Sequence, residues 1–375
     1  MPPVCSAVGL LTHRARVCRA RETTYAAGQE TRCARSTHVK VLLVILGAAC
    51  VLAGAGTGCR DTDKPQREVV LYCSADQDVA EPIVAEFERA SGIRVRVRFD
   101  TEASKTVGLV QRLRAKADRP EADVFWSSEV FHTVRLAREG LLQPYRAEAV
   151  AAWPKEFADP EGRWYGFGLR MRVVAYHTGR VAEADAPATV EELLDPKWRG
   201  RLAMASPEFG TTCGQVAAWF VYYGPERATK ILEGLKANAV RLVDGNSTAV
   251  RLVGTGQADL CLTDSDDVYA AQRNGWPVAM NMLSHSGAGV LAIPNTAAMV
   301  RGAPHPEEAR ALMAYLLSEA TERMLARSDS HNTPVRESVA REFPACACPR
   351  RLPVDYEKVA ECVPAAIDAA RKVLR

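Results

Sequence analysis

The 375-residue chain has no low-complexity tract and no internal repeat, so neither a solenoid nor a disordered linker protein is in view. It carries no G-x-S-x-G elbow, no His-rich zinc motif, no P-loop and no G-x-G-x-x-G after its first apolar run. Each absence removes a common class of enzyme. A basic stripe is missing as well, because the formal charge of +3 is loaded at the front. Before Cys59 stand seven Lys/Arg (Arg14, Arg16, Arg19, Arg21, Arg32, Arg35, Lys40) and two acids (Glu22, Glu30), a net +5 that leaves −2 for the remainder. A mildly acidic body argues against nucleic-acid binding.

Charge is absent altogether from Val41 to Gly58, VLLVILGAACVLAGAGTG. A membrane-spanning helix needs about 20 robustly apolar residues and usually keeps its bulk to the end. This run starts bulky and ends small, as a signal h-region does when it meets its cleavage site. Cys59, behind Gly56-Thr57-Gly58, resembles a bacterial lipobox, with Gly56 where that box prefers Leu; Cys50 behind Gly47-Ala48-Ala49 is the weaker alternative. The expectation is export to the periplasm or the outer face of the cytoplasmic membrane, with a lipidated Cys59 as anchor. Residues 1–59 are then a leader, and 60–67 (RDTDKPQR) a polar tether. The first 35 residues are long and Arg-rich without an apolar core, consistent with a start codon set too far upstream.

The body alternates strand-like and helix-like segments, which predicts an α/β fold with a parallel or mixed sheet. EVVLYC (68–73) reads as a buried strand, and IRVRVRF (93–99) as an alternating one. Asp78-x-x-Glu81 reads as a capping box opening a helix with Ile83, Val84 and Phe87 on one face, closed by Ser91-Gly92. Ser104–Lys116 and Glu129–Glu139 are expected helices around a short strand at 122–126. Trp164–His177 is a long extended segment suited to crossing into a second lobe. In that lobe Thr189-x-x-Glu192 and Thr212-x-x-Gln215 are expected helix caps, and 201–205, 240–243 and 258–262 are expected strands. Val278–Ile293 reads as a long return segment and Pro304–Ser318 as an amphipathic helix. The predicted organisation is lobe 1 over 68–168 and again over 278–335, lobe 2 over 169–277, and a C-terminal extension over 336–375.

Of 11 cysteines, five lie at or before Cys59. Cys73 and Cys261 sit in apolar runs and are expected in the core. Cys346, Cys348 and Cys362 cluster near the C-terminus, where export permits a disulfide. No histidine lies near them to favour a metal.

The body resembles the ferric-iron-type periplasmic solute-binding proteins of ABC importers over roughly residues 68–335. The resemblance is carried by SADQDVAEPIVAEFERASGIRV (74–95), ADVFWSSEVFHTVRLAREGLLQPY (122–145), RVVAYHT (172–178), DPKWRGRLAMASPEFGTT (195–212), GNSTAVRLVGTGQADLCLTDSDD (245–267) and IPNTAAMVRGAPHPEEARALMAYLLS (293–318). It implies a two-lobed type II periplasmic-binding fold that closes on a ligand and docks on a permease with its ATPase. It also shows a departure. Where iron-binding members place adjacent tyrosines after the strand at 258–262, this chain reads Asp264-Ser265-Asp266-Asp267. Tyr222-Tyr223 stands about 40 residues too early, and Asp76-Gln77 replaces a histidine that some members carry after the first strand.

In an α/β sheet, ligands sit beyond the carboxyl ends of the strands, where loops meet helix N-termini. That rule selects Ser74, Asp76, Thr101, Glu102, Ser128, Glu129, Thr211, Thr212, Asn246, Ser247, Asp264, Asp266 and Asp267. Asp78 is explained by its cap. Gly210-Thr211-Thr212 and Asn246-Ser247-Thr248 suit an anion, or simply start helices. Three carboxylates within 264–267 repel one another unless a cation or donors lie between them; the bland reading is a helix start, where acids suit the dipole. Arg170 and Arg172 share a face of the crossover strand and would clamp an anion or pair with the carboxylates. Glu102, Asp266 and Asp267 are the metal-ligand candidates.

The function expected is an exported, monomeric importer subunit, with no cofactor of its own, carrying Fe³⁺ or another hard cation on oxygen donors as transported ligand. A small organic anion, phosphorylated or carboxylated, is the alternative ligand. A ligand sensor and a hydrolase built on Asp264/Asp266 are the other classes, and the chain is expected not to be an enzyme.

Overall fold

In the computed structural model, residues 66–100, 106–348 and 350–375 are described, and they form one compact unit. The expected leader, Cys59, Thr101 and Glu102 lie outside the described residues. The strands are β1 Glu68–Cys73, β2 Arg94–Phe99, β3 Val124–Ser127, β4 Leu142–Gln143, β5 Tyr165–His177, β6 Leu202–Ala205, β7 Arg241–Val243, β8 Leu260–Asp264, β9 Val278–Met282 and β10 Ala292–Val300. They form one path, β2-β1-β3-β10-β5-β8-β6-β7, with β4 on β10 and β9 on β5.

The two halves of that path meet inside β5. Its first part, from Tyr165 to Met171, pairs antiparallel with β10. From Arg172 to His177 it pairs instead with β8 on one side and β9 on the other. β1, β2 and β3 run parallel in the first half, and β6, β7 and β8 run parallel in the second. β3 and β6 are buried throughout, which is why they read as unbroken apolar runs. At the edge, β2 buries Val95 while Arg94 and Arg96 project into solvent, and such charges discourage edge-to-edge pairing.

Helices cover both halves. Around the first are α1 Gln77–Ser91, α2 Val107–Ala115 and α3 Phe131–Arg138; around the second are α4 Gly210–Tyr223, α5 Pro225–Ala237, α6 Asn246–Gly254 and α7 Ser265–Arg273. The chain then returns to the first half with α8 Pro306–Leu316 and α9 Glu319–Arg327, and ends with α10 Glu337–Ala340 and α11 Tyr356–Leu374. α1 buries Ala80, Ile83, Val84 and Phe87, the predicted stripe, and ends on Gly92 in the left-handed region with φ 68°. Long α11 packs on α4 and α5 and also on α3, so the C-terminal extension touches both halves. Among the described residues no helix is long and apolar enough to cross a membrane.

Several local expectations are corrected. α1 begins two residues earlier than the Asp78–Glu81 box implies, because the Asp76 carbonyl already accepts from the amides of Val79 and Ala80. Asp78 is a first-turn acid rather than a cap. Thr212 does not cap α4, which starts at Gly210 after Phe209; Thr212 and Gln215 are buried and turned toward β5. The Thr189–Glu192 box does form, with each side chain accepting from the other's amide, but it closes only one 3₁₀ turn at Glu192–Leu194. The segment from Val278 to Ile293 is not one strand. β9 stays in the second half, and the crossing occurs over 283–291, where Ser286, Gly287 and Gly289 take positive φ. At Gly289 (φ 134°) a Cβ would lie 2.7 Å from the Arg351 backbone, so the close pairing of Val290 with residues 350–352 requires glycine. Cys73 and Cys261 are in the core as expected, while Cys346, Cys348 and Cys362 form no disulfide.

The halves touch where the Phe131 ring of α3 lies on Gly214 of α4, so closely that a Cβ at 214 would fall 1.9 Å from a ring carbon. Gly214→Ala should therefore cost about 1–3 kcal/mol of overpacking in a urea titration. Adding Phe131→Ala should return part of that loss through their coupling. Strict additivity of the two costs would show that this contact does not set the spacing.

Candidate functional site

At the junction inside β5, Arg172 is wholly buried. Its Nη1 donates to Asp264 Oδ1 at 2.7 Å and to Thr211 Oγ1 at 3.0 Å, its Nε to Gln215 Oε1 at 3.0 Å, and its Nη2 to Thr212 Oγ1 at 3.4 Å. Asp264 ends β8 and stands at the N-cap of α7. Its second oxygen accepts from Thr211 Oγ1 at 2.6 Å and from Asn246 Nδ2 at 3.0 Å. One ion pair thereby joins β5, the end of β8 and the first turns of α4, α6 and α7. Burial pushes the Asp264 carboxyl upward, but Arg172, then Arg170 and the Thr211 hydroxyl, outweigh it and hold it below its ordinary value.

Two residues earlier on β5, Arg170 is also buried but faces the cleft. Its Nη2 donates to the Ser128 carbonyl, and its Nη1 lies 3.4 Å from Asp266 Oδ2 and 3.6 Å from Asp264 Oδ2. Burial opposes its charge, yet the nearby Asp266, Asp264, Asp76 and Asp267 hold the guanidinium firmly protonated. Ser128 shares a buried hydroxyl cluster with Ser74 and Thr106: Thr106 Oγ1 donates to Ser74 Oγ at 3.1 Å, and the Ser128 amide donates to Ser74 Oγ at 2.9 Å.

The cleft between these elements encloses about 420 Å³, open solvent included. Asp76, Ser128 and Arg170 line one wall; Ser206, Phe209 to Thr212, Asp244 to Asn246, Asp264 and Asp267 line the rest. The carboxylates of Asp264, Asp266 and Asp267 place oxygens within 4.8 Å of one another. Asp267 also accepts from Thr263 Oγ1 at 2.9 Å.

Of the candidates drawn from the sequence, Asp76, Ser128, Arg170, Thr211, Thr212, Asn246, Asp264 and Asp267 meet at this cleft, with Asp266 beside Arg170. Four stand apart from its lining. Ser74 supports Ser128 from behind, and Ser247 is exposed on α6. Glu129 is buried just ahead of α3, accepting from the amides of Phe131 at 2.7 Å and His132 at 3.2 Å and facing His132 Nδ1 at 3.1 Å. Arg172 faces inward as the partner of Asp264 and not toward a ligand. Asp244, Ser206, Thr106 and the inward role of Gln215 were missed. Asp244 follows β7 directly, so the strand-end rule applied one residue earlier would have included it. Tyr222 and Tyr223 lie off the cleft, at the end of α4, where both pack on His285.

A cleft between two α/β halves, lined by strand ends and helix N-termini and hinged on crossing strands, defines a two-lobed solute-binding protein. The chain belongs to the bacterial extracellular solute-binding protein family, whose model matches residues 69–328. These are binding proteins of transport and not enzymes. Among similar proteins is "Iron uptake protein A1" of Synechocystis, 28% identical over 296 residues, spanning 75% of this chain and 81% of that one. The "Major ferric iron-binding protein" of Neisseria meningitidis is 26% identical over 264 residues, spanning 69% and 78%. Iron-bound HitA from Pseudomonas aeruginosa shares 27% identity with a TM-score of 0.70, covering 82% of this chain and 99% of that one. The resemblance to the ferric-type group is thus borne out by named relatives, and the two-lobed α/β fold by solved structures.

Removing one partner of the buried pair leaves the other charge unsatisfied. Arg172→Met should cost about 3–5 kcal/mol in chemical denaturation. Asp264 is held below its ordinary 3.8, so its contribution is complete above that pH and is lost as the pH falls through the lower folded value. Asp264→Asn should therefore be less stable at neutral pH and show a shallower loss between about pH 4 and pH 2. Equal slopes for the two proteins would contradict a depressed Asp264.

Proposed function

We propose that this chain is the exported solute-binding subunit of an ABC importer, which captures Fe³⁺ or a similarly hard cation in the cleft and delivers it to a permease and its ATPase. A lipidated Cys59 would anchor it to the outer face of the cytoplasmic membrane. The observation that carries the reading is the balance of charge around the cleft. Among the described residues, Asp76, Asp244, Asp264, Asp266 and Asp267 gather around the cleft with the guanidiniums of Arg170 and Arg172. Like charges about 5 Å apart repel by about 3 kcal/mol at an effective dielectric near 20. A trivalent ion among them reverses that sign, and carboxylates are hard donors suited to it. Asp266 and Asp267, which stand where the tyrosines of the iron-binding group are expected, are the proposed principal ligands. Glu102 remains a further candidate from the sequence. The iron-related names of the relatives support the same cargo.

The mechanism follows from β5. The ends of β5 belong to different halves, and the segment 283–291 is the second connection. Rotation at these two links opens the cleft, and a cation held by donors from both sides selects the closed form.

A small organic anion is the second reading, favoured by the first turns of α4 and α6 at the cleft and by Arg170. Against it, the hydroxyls of Thr211 and Thr212 already donate to Asp264 and Asn246. The anion would have to rely on backbone amides.

Residues 61–375, equilibrated with ferric nitrilotriacetate and passed through a desalting column, should retain one iron per chain by elemental analysis. The double variant Asp266→Ala/Asp267→Ala should lose iron affinity by at least 100-fold while melting within a few degrees of the parent. An iron-free parent carrying an organic adduct in native mass spectrometry would favour the second reading.

A further inference from the structure

Arg170 and Arg172 lie two residues apart on one face of β5, yet they are held very differently. Arg172 is fixed on three nitrogens by Asp264, Thr211, Thr212 and Gln215. Arg170 is 5% exposed and is held well on only one side, where Nη2 reaches the Ser128 carbonyl. Its Nη1 contacts Asp266 and Asp264 at the long distances of 3.4 and 3.6 Å, and its buried Nε has no hydrogen-bond partner among the described residues. A buried guanidinium with spare donors, lying across a carboxylate cluster at the lining of a cleft, is poised to move rather than locked.

Resting on the cation reading above, we infer that Arg170 is a tethered counter-cation that occupies the carboxylate site until cargo arrives and thereby sets which cations are accepted. The fork geometry permits this, because Nη2 can keep Ser128 while Nη1 swings away from Asp266 and Asp264. The exchange is a competition. A monovalent cation replaces one unit charge by another and gains nothing to offset the lost Arg170 contacts. The Coulomb gain of a multivalent ion scales with its charge, and hard carboxylate oxygens reward high charge density further. Selectivity arises because Arg170 disfavours weak competitors, which a more attractive site would admit. Arg170 also joins Ser128 of the first half to Asp264 and Asp266 of the second. The cleft thus carries its own internal bridge, which cargo must exchange for a stronger one.

The test is to titrate residues 61–375 with Mn²⁺ and, separately, with ferric nitrilotriacetate, comparing the parent with Arg170→Met and Arg170→Gln. The glutamine keeps a neutral polar donor at this buried position and guards against loss of fold. Both variants should bind Mn²⁺ at least tenfold more tightly than the parent, and their preference for ferric iron over Mn²⁺ should narrow by at least tenfold. Melting of the variants should be depressed without metal and recover with millimolar Mn²⁺, a rescue the parent does not show. A parent that binds iron, with variants of unchanged Mn²⁺ affinity and selectivity, would overturn the role of Arg170 and leave the cation reading standing. Absence of metal binding in all three proteins, with citrate or phosphate binding lost on substitution, would overturn both.

Discussion

The arrangement depends on one buried ion pair, Arg172 with Asp264. Such a pair contributes little net stability over a well-packed apolar alternative, because desolvating both charges costs about what their attraction returns. Its consequence is geometrical. Arg172 sits where β5 changes partners, and Asp264 begins α7; through Thr211, Thr212, Gln215 and Asn246 the pair fixes the first turns of α4 and α6 against the same point. Three helix N-termini and a hinge strand are thereby registered to one another. A hydrophobic replacement would fill the space but would leave those turns without a common reference.

Once Asp264 is committed to Arg172, the chemistry of the cleft falls to its neighbours. Asp266 and Asp267 occupy the first turn of α7, where the helix dipole favours negative charge. Arg170 then stands between the two halves as the mobile counterpart of a fixed arginine. Two identical side chains on one strand face thus divide the work, one holding the architecture and one meeting the cargo. The difference lies in how many acceptors each finds.

Much of this was legible in the sequence. Strand–helix alternation gave the α/β class, and Ile83, Val84 and Phe87 gave the buried face of α1. The strand-end rule collected most of the cleft. What escaped it were long-range partnerships. Nothing local distinguishes a threonine that caps a helix from Thr212, which turns inward toward Arg172, 40 residues away. Glu129 looked like a ligand because it follows a strand, but a carboxylate two residues ahead of a helix is equally suited to accept its first amides. Arg170 and Arg172 were correctly placed on one face, while their separate roles depend on which acceptors other elements bring. The break at 283–291 was hidden because an apolar run reads the same on either side of a turn.

The claim at the centre of this account is that the cleft holds its cargo as a cation on the carboxylates of α7. Crystals of residues 61–375 grown with a ferric salt, measured on both sides of the iron absorption edge, address it directly. The account predicts a single anomalous peak within coordinating distance of Asp266 and Asp267, with the Arg170 guanidinium displaced from them. A map with no iron peak in the cleft, and with light-atom density against the first turns of α4 and α6, would contradict it.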